Sequence, residues 1–225
     1  MKNTIKYLIL LIIYLVCGVN LQAQNYTFRN VVMSDGLSGL LVNAIYKDSE
    51  GFVWLGTDNC LDRFDGVKVR HYEFRGVDSG RKKRVNCITE TADNQLWVGN
   101  GIGLWRLNRA NGQLERIVPE KIDFAVNTLL PDGDILYIGT EKGLFIQKDG
   151  QLLQVLTDRN MLAACNRIMD LCLNEDKSAL WLATVQGLFS YSLKDGKIDS
   201  WHFQENVPEA DYFRCLTRIG VTLYL

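Results

Sequence analysis

The chain has no surplus of positive charge. Its 25 Lys and Arg stand against 26 Asp and Glu, for a formal net charge of −1. A protein that holds nucleic acid must neutralise a row of phosphates, so nucleic acid is not an expected partner. Histidine is almost missing: His71 and His202 are the only two. None of the 6 cysteines sits in a C-x-x-C pair, and no Cys and His cluster at metal-ligand spacing. No metal and no cofactor are therefore expected. No segment carries a long 3.6-residue hydrophobic periodicity, which argues against a helical domain. Proline is scarce, at 3 residues. With 47% hydrophobic and 23% charged residues, the composition is that of an ordinary globular protein, neither disordered nor fibrous.

One long apolar run does occur, at the start. Lys2 and Lys6 precede an unbroken apolar stretch from Tyr7 to Val16, and Leu21-Gln22-Ala23 ends in a small residue. This is the pattern of an export signal over residues 1–23, cleaved before Gln24. The run is short for a membrane span. Export places the remaining five cysteines, Cys60, Cys87, Cys165, Cys172 and Cys215, in an oxidising space. Their number is odd and no pairing is specified; most read as small buried apolar residues.

From residue 43 onward the chain repeats itself. The phrases Phe52-Val53-Trp54-Leu55-Gly56-Thr57, Leu96-Trp97-Val98-Gly99, Leu136-Tyr137-Ile138-Gly139-Thr140 and Leu180-Trp181-Leu182-Ala183-Thr184 are variants of one another, and Thr222-Leu223-Tyr224-Leu225 begins a fifth. The key aromatics Trp54, Trp97, Tyr137, Trp181 and Tyr224 recur at roughly 40–45 residues, the length of one propeller blade. Leu61, Leu104, Leu144 and Leu188 stand at one fixed distance after them. Small residues, Gly56, Gly99, Gly139 and Ala183, stand at another. Asn43, Asn86, Asn127 and Asn166 open the four units. The units run over about 43–85, 86–126, 127–165 and 166–213, with an incomplete fifth at 214–225.

Within a unit the chemistry reads as four short strands. In the first, Asn43–Lys47 alternates; Phe52–Thr57 is rich in aromatic and β-branched residues; Leu61–Phe64 follows the Asp58-Asn59 turn; and Val67–Phe74 follows Asp65-Gly66, a strong hairpin turn. One such sheet cannot cover its own apolar faces, whereas radial packing of several can. The expected fold is all-β: a partial β-propeller over residues 24–225, with four complete four-stranded antiparallel blades and the start of a fifth. The key aromatics are expected between blades, and the small residues where sheets approach closely. Tyr26–Val32 alternates and reads as a closing strand.

These phrases resemble the two-component regulator propeller repeat, N-x-I-x(5–6)-G-x-[LV]-W-[LIV]-G-T-x-x-G-[LI]-x-[RK]-[FY]. Asn43–Phe64 matches almost throughout, with Cys60 in place of Gly. Asn100 replaces Thr in the second unit, Tyr137 replaces Trp in the third, and Ala183 replaces Gly in the fourth. Met33–Ser38 resembles the lead-in that follows the signal peptide. The resemblance implies the periplasmic sensor part of a hybrid two-component receptor, anchored in the inner membrane through a missing C-terminal part. It also implies an oligosaccharide ligand and no catalytic centre in this chain. The partners expected are that ligand and the remaining blades of the receptor or a second copy, since a truncated ring would leave blade faces bare. The alternatives are a self-standing exported scaffold or carbohydrate-binding propeller and, less favoured, a propeller glycosidase.

Propeller ligands meet loops on one face or at the central channel, so Asp58, Asn59, Asn100, Glu141, Lys142 and Gln186 are the candidate ligand residues. Plain turn roles compete for all six. Gly99–Gly103 lacks the strand-to-helix context of a phosphate loop. Asp48–Trp54 is similar to a sialidase Asp-box but has the wrong spacing, and a glycosidase needs two convergent carboxylates. His71 and His202 read as outer-strand packing, and Arg81–Arg84 as a solvated basic loop.

Overall fold

The computed structural model describes residues 5–7, 30–77, 83–117, 122–156, 167–201 and 212–225. They belong to two units, Met1–Val31 and Val32–Leu225. In the first, residues 5–7 are helical; the apolar run beyond them and the cleavage point before Gln24 lie outside the described residues, as do Asn166, Cys165, Arg81, Lys82 and His202. Among the described residues no helix is long and apolar enough to cross a membrane.

The second unit is built of antiparallel sheets. β1 (Val42–Lys47), β2 (Val53–Thr57), β3 (Leu61–Phe64) and β4 (Val69–Tyr72) form the first, in chain order. β5 (Val85–Glu90), β6 (Leu96–Asn100), β7 (Gly103–Asn108) and β8 (Gln113–Ile117) form the second. β9 (Val126–Asp132), β10 (Ile135–Thr140), β11 (Gly143–Lys148) and β12 (Gln151–Gln154) form the third. β13 (Ile168–Leu173), β14 (Ala179–Thr184), β15 (Gly187–Ser192) and β16 (Ile198–Trp201) form the fourth. β17 (Thr217–Ile219) and β18 (Thr222–Tyr224) make a hairpin at the fifth position. The first strands of successive sheets pack side by side, β1 on β5, β5 on β9 and β9 on β13. This is the β-propeller expected from the repeat.

The apolar clusters lie between blades, not within them. Trp54, Leu61 and Tyr72 pack against Val85, Ile88 and Trp105 of the second blade. Trp97 and Leu104 pack against Val126 and Ile138 of the third. Tyr137 and Leu144 meet Ile168 and Leu182 of the fourth. Leu188 and Ala183 meet Leu216 of the fifth, with Trp181 half-buried beside them. Each key aromatic therefore faces the following blade, as the radial-packing argument requires.

The repeated glycine answers to the same contact. A Cβ on Gly56 would lie 2.4 Å from Val85 Cγ1, and one on Gly99 2.6 Å from Val126 Cγ1. One on Gly139 would lie 2.8 Å from Ile168 Cγ2. The β-branched residue that opens each inner strand thus rests directly on the glycine of the blade before it.

The repeated asparagine has a register reason. The inner strands are bulged between Val42 and Ala44, Val85 and Cys87, Val126 and Thr128, and Ile168 and Asp170. The bulge frees the side chain from the ladder. Asn86 Nδ2 then donates to Val126 O at 2.9 Å, and Asn127 Nδ2 to Ile168 O at 2.8 Å, each reaching the next blade. In the fourth blade the bulged residue is Met169. The unit boundary at Asn166 therefore does not mark the equivalent position, because strand pairing, not residue type, sets the register.

Two smaller expectations change. The fourth strand of the first blade is β4, shorter at both ends than Val67–Phe74. Asp65 Oδ1 accepts from the N–H groups of Lys68 (2.7 Å) and Val67 (2.9 Å), which withdraws them from the ladder and holds the Asp65 carboxyl below the usual carboxylate range. Phe74 leaves the strand to pack edge-on against Trp105, ring centroids 5.0 Å apart. Of the expected closing strand, residues 26–29 lie outside the described residues. Residues 30–32 are not in a strand; Met33–Asp35 is a short 3-10 turn. A strand requires a ladder partner for its backbone groups, and among the described residues none is paired with this stretch.

Candidate functional site

The inner strands bring one repeat position together. The bulged residues Asn86, Asn127 and Met169 line a single cavity of about 470 Å³ at the strand starts. Arg214 joins them; it stands three residues before Thr217, which pairs with Tyr224 as Thr89 pairs with Trp97. The residues just before the strands, Arg84, Ala125 and Arg167, complete the wall with Gly101 and Glu141 from the turns between second and third strands. Gly101 N–H donates to Arg84 O at 3.1 Å and Glu141 N–H to Ala125 O at 3.1 Å, which fixes those turns against the strand starts. Three guanidinium groups and one carboxylate thus share the cavity. Arg84, Arg167 and Arg214 are exposed and form no ion pair among the described residues. The opposite ends of the strands are different: a cleft of about 290 Å³ there is lined by Asp93, Asp134 and Asp149 with Arg106.

The six candidate ligand residues separate into distinct surroundings. Glu141 lines the basic cavity. Lys142 Nζ lies 4.5 Å over the Phe124 ring. Asn100 is fully buried, and its Oδ1 accepts from Ile102 N–H and Trp105 Nε1, both at 3.1 Å. In accepting from the N–H two residues on, it does for its turn what the hydroxyls of Thr57, Thr140 and Thr184 do for theirs, which accept from the N–H groups of Asn59, Lys142 and Gln186. Asp58, Asn59 and Gln186 are exposed; Asn59 Nδ2 donates to Ser38 O at 2.9 Å. The structure does not gather the six into one site. The arginines were legible only as the neighbours of strand starts, since their convergence depends on the inner strands lying side by side.

A second constellation escaped the sequence reading altogether. Cys60 Sγ, an Asp62 carboxylate oxygen and a His71 ring nitrogen lie within 4.8 Å of one another, the one such trio of potential metal ligands among the described residues. β3 and β4 pair Asp62 with His71 directly. The signal was present in the repeat: Asp62 occupies the register position of the buried aromatics Trp105, Phe145 and Phe189, and Cys60 that of Gly103, Gly143 and Gly187. Burial pushes the Cys60 thiol up to about 12, so it stays protonated at neutral pH. Burial also raises the Cys87 thiol, whereas Cys215 is exposed. Iodoacetamide at neutral pH is therefore expected to label Cys215 well before Cys60 and Cys87, as followed by peptide mass mapping. Equal labelling rates would contradict this packing.

Residues 36–59 match a family model described as two component regulator propeller. The first blade carries that repeat. Over 79 residues the chain is 32% identical to histidine kinase P4 of Formosa agariphila, a match spanning 35% of this chain and 6% of that protein. Its fold is similar to the extracellular domain of the putative hybrid two component system BT3049 from B. thetaiotaomicron, with TM-score 0.70 and 20% identity over 86% of this chain and 28% of that one. It is also similar to that of BT4673 from the same organism, with TM-score 0.63 and 24% identity over 78% and 24%. A virginiamycin B lyase from Staphylococcus aureus shares the fold at TM-score 0.66 and 15% identity. The chain thus spans about a quarter of the length of the two receptor domains.

Proposed function

We propose that this chain is a propeller part of the extracellular ligand-sensing domain of a hybrid two component receptor, and that its ligand enters the arginine-lined cavity at the inner-strand starts. The repeat in the first blade and the likeness to two receptor domains support the receptor reading. The cavity carries the rest: Arg84, Arg167 and Arg214, supplied by three different blades, face one space with Asn86 and Asn127 beside them. Guanidinium forks bind carboxylate and sulfate bidentately. The ligand class is therefore an oligosaccharide bearing acidic groups, exported surroundings being the place to meet it. The role is binding, with no bond made or broken.

The test is calorimetric titration of the chain with neutral and with uronate-containing oligosaccharides. Acidic sugars are expected to bind and neutral ones of equal length to bind at least tenfold more weakly. Arg84→Ala combined with Arg167→Ala, both exposed and harmless to folding, is expected to weaken acidic-sugar binding by about tenfold or more, the scale of a lost charge-assisted bond. Equal affinity for both sugar classes, or an unaffected double variant, would remove this cavity from the reading.

A further inference from the structure

The repeat explains most of the buried side chains, and the trio on the first blade is where it fails. At the position of Asp62 the other blades bury Trp105, Phe145 and Phe189, each covered by the blade before it. The first blade has that face bare elsewhere: Ile45 is 71% exposed, while its register equivalents Ile88 and Leu171 are 9% and 4% exposed. On this face Asp62 is nevertheless fully buried, beneath the lead-in segment that carries Leu37 and Ser38. A buried carboxylate is costly unless it is bound on all sides. Its Oδ2 accepts from Ser38 N–H at 2.8 Å and Ser38 Oγ at 2.7 Å, and Ser38 Oγ lies 3.0 Å from Thr57 Oγ1. Its Oδ1 is the oxygen turned to the other two groups, 2.7 Å from His71 Nδ1 and 3.4 Å from Cys60 Sγ.

We propose that Cys60 Sγ, Asp62 Oδ1 and a ring nitrogen of His71 form a zinc site on the first blade, which nothing in the repeat or in the sensing role accounts for. The donor set is thiolate, imidazole and carboxylate, the set that borderline-soft Zn²⁺ takes and that Ca²⁺ and Mg²⁺ do not. The 3.4 Å between Cys60 Sγ and Asp62 Oδ1 is the separation of two ligands on one tetrahedral zinc ion with bonds of roughly 2.0–2.3 Å, whereas the 2.7 Å between Asp62 Oδ1 and His71 Nδ1 is a hydrogen bond that must open by about 0.6 Å for both to ligate the ion. The outer oxygen of Asp62 is held by the Ser38 backbone and hydroxyl, the kind of support that aims a ligating carboxylate. The His71 side chain is 47% exposed, which leaves a path for the ion and a fourth coordination position open to water. On binding, the Cys60 thiol gives its proton to solvent and the thiolate bonds the metal; no oxidant or reductant takes part.

The experiment is titration of the full 225-residue chain, reduced and metal-free, with Co²⁺ followed by absorption. One equivalent is expected to give a thiolate-to-cobalt charge-transfer band and tetrahedral ligand-field bands, both removed when Zn²⁺ is added. Cys60→Ala should abolish the charge-transfer band, and His71→Ala should weaken cobalt binding at least tenfold. Both leave the fold intact, the first because neighbouring blades carry only glycine there and the second because His71 is half exposed. Ser38→Ala, which touches no metal, should weaken binding about tenfold through Asp62 alone. No saturable band in the unaltered chain would overturn the proposal. So would a band that survives Cys60→Ala, which would place the metal on another cysteine.

Discussion

Trp54→Ala is expected to lower the unfolding free energy by about 4 kcal/mol, within the range for removing a buried aromatic from a packed core. Trp54 is fully buried between the first two blades, its ring 5.1 Å from that of Tyr72. Its loss would open a cavity lined by residues of both blades, which cannot collapse without sliding one sheet on the other. The indole also closes a polar account: Nε1 donates to Asp48 Oδ2 at 2.8 Å, and the Asp48 side chain is itself buried. Removing that donor leaves a buried carboxylate short of a partner, at roughly 1–3 kcal/mol. Trp54→Phe keeps most of the volume and loses the donor, so it should cost about 1–3 kcal/mol. Trp181→Ala, at the half-buried equivalent facing the fifth-position hairpin, should cost visibly less than Trp54→Ala. Urea unfolding of the three variants against the parent checks the order. A cost below about 1 kcal/mol for Trp54→Ala would mean that the first two blades do not share a core.

Gly143→Ala is expected to destabilise by about 3 kcal/mol, while Gly150→Ala, further along the same blade, should cost only about 1–2 kcal/mol. Both glycines have positive φ, +111° and +74°. They differ in what a methyl group would meet. At Gly150 there is nothing within 4 Å, so the cost is the backbone conformation alone. At Gly143 the new Cβ would lie 2.1 Å from the carbonyl oxygen of Leu156, a backbone atom on the segment that leaves the outer strand. That segment is pinned, since the N–H groups of Val155 and Leu156 both donate to Leu144 O. It cannot step aside without breaking those bonds, so strain and overpacking add. Thermal unfolding of the two variants side by side decides the matter: equal shifts would refute the steric account. The first blade has Cys60 at the corresponding position, without a positive φ, and there the added side chain is turned toward Asp62.

The arrangement of charge between blades follows the same logic of crowding at seams. Arg109, on the hairpin after β7, sits 2.8 Å from Glu90, 3.1 Å from Glu50 and 3.7 Å from Asp48, and Ser49 donates to Glu90 through both N–H and Oγ. Two of those carboxylates are nearly or fully buried. A single cation therefore ties the turn between β1 and β2 of the first blade to the second blade. Nothing in the spacing of Asp48, Glu50, Glu90 and Arg109 announces this, because Asp48, Glu50 and Arg109 are turn residues and Glu90 ends the strand β5 of a different repeat from the first two.

What the linear sequence determined was everything that recurs. Trp54, Trp97, Tyr137 and Trp181 with their small residues, Gly56, Gly99, Gly139 and Ala183, and their leucines specify a blade four times over, because a period-two strand with a large aromatic near a small residue packs closely against a copy of itself. The third strand Leu61–Phe64 and the hairpin turn at Asp65-Gly66 were legible for the same local reason. What only the tertiary structure decided was everything that depends on two repeats at once or on one repeat departing from the rest. Register slid the fourth unit so that Met169, not Asn166, takes the bulged place, because hydrogen-bond pairing across the sheet overrides residue identity. Arg84, Arg167 and Arg214 lie tens of residues apart and converge only because the inner strands of successive blades stand side by side. Cys60, Asp62 and His71 meet because β3 and β4 pair in the register that sets Asp62 beside His71, on a face where the first blade replaces a buried aromatic with a carboxylate.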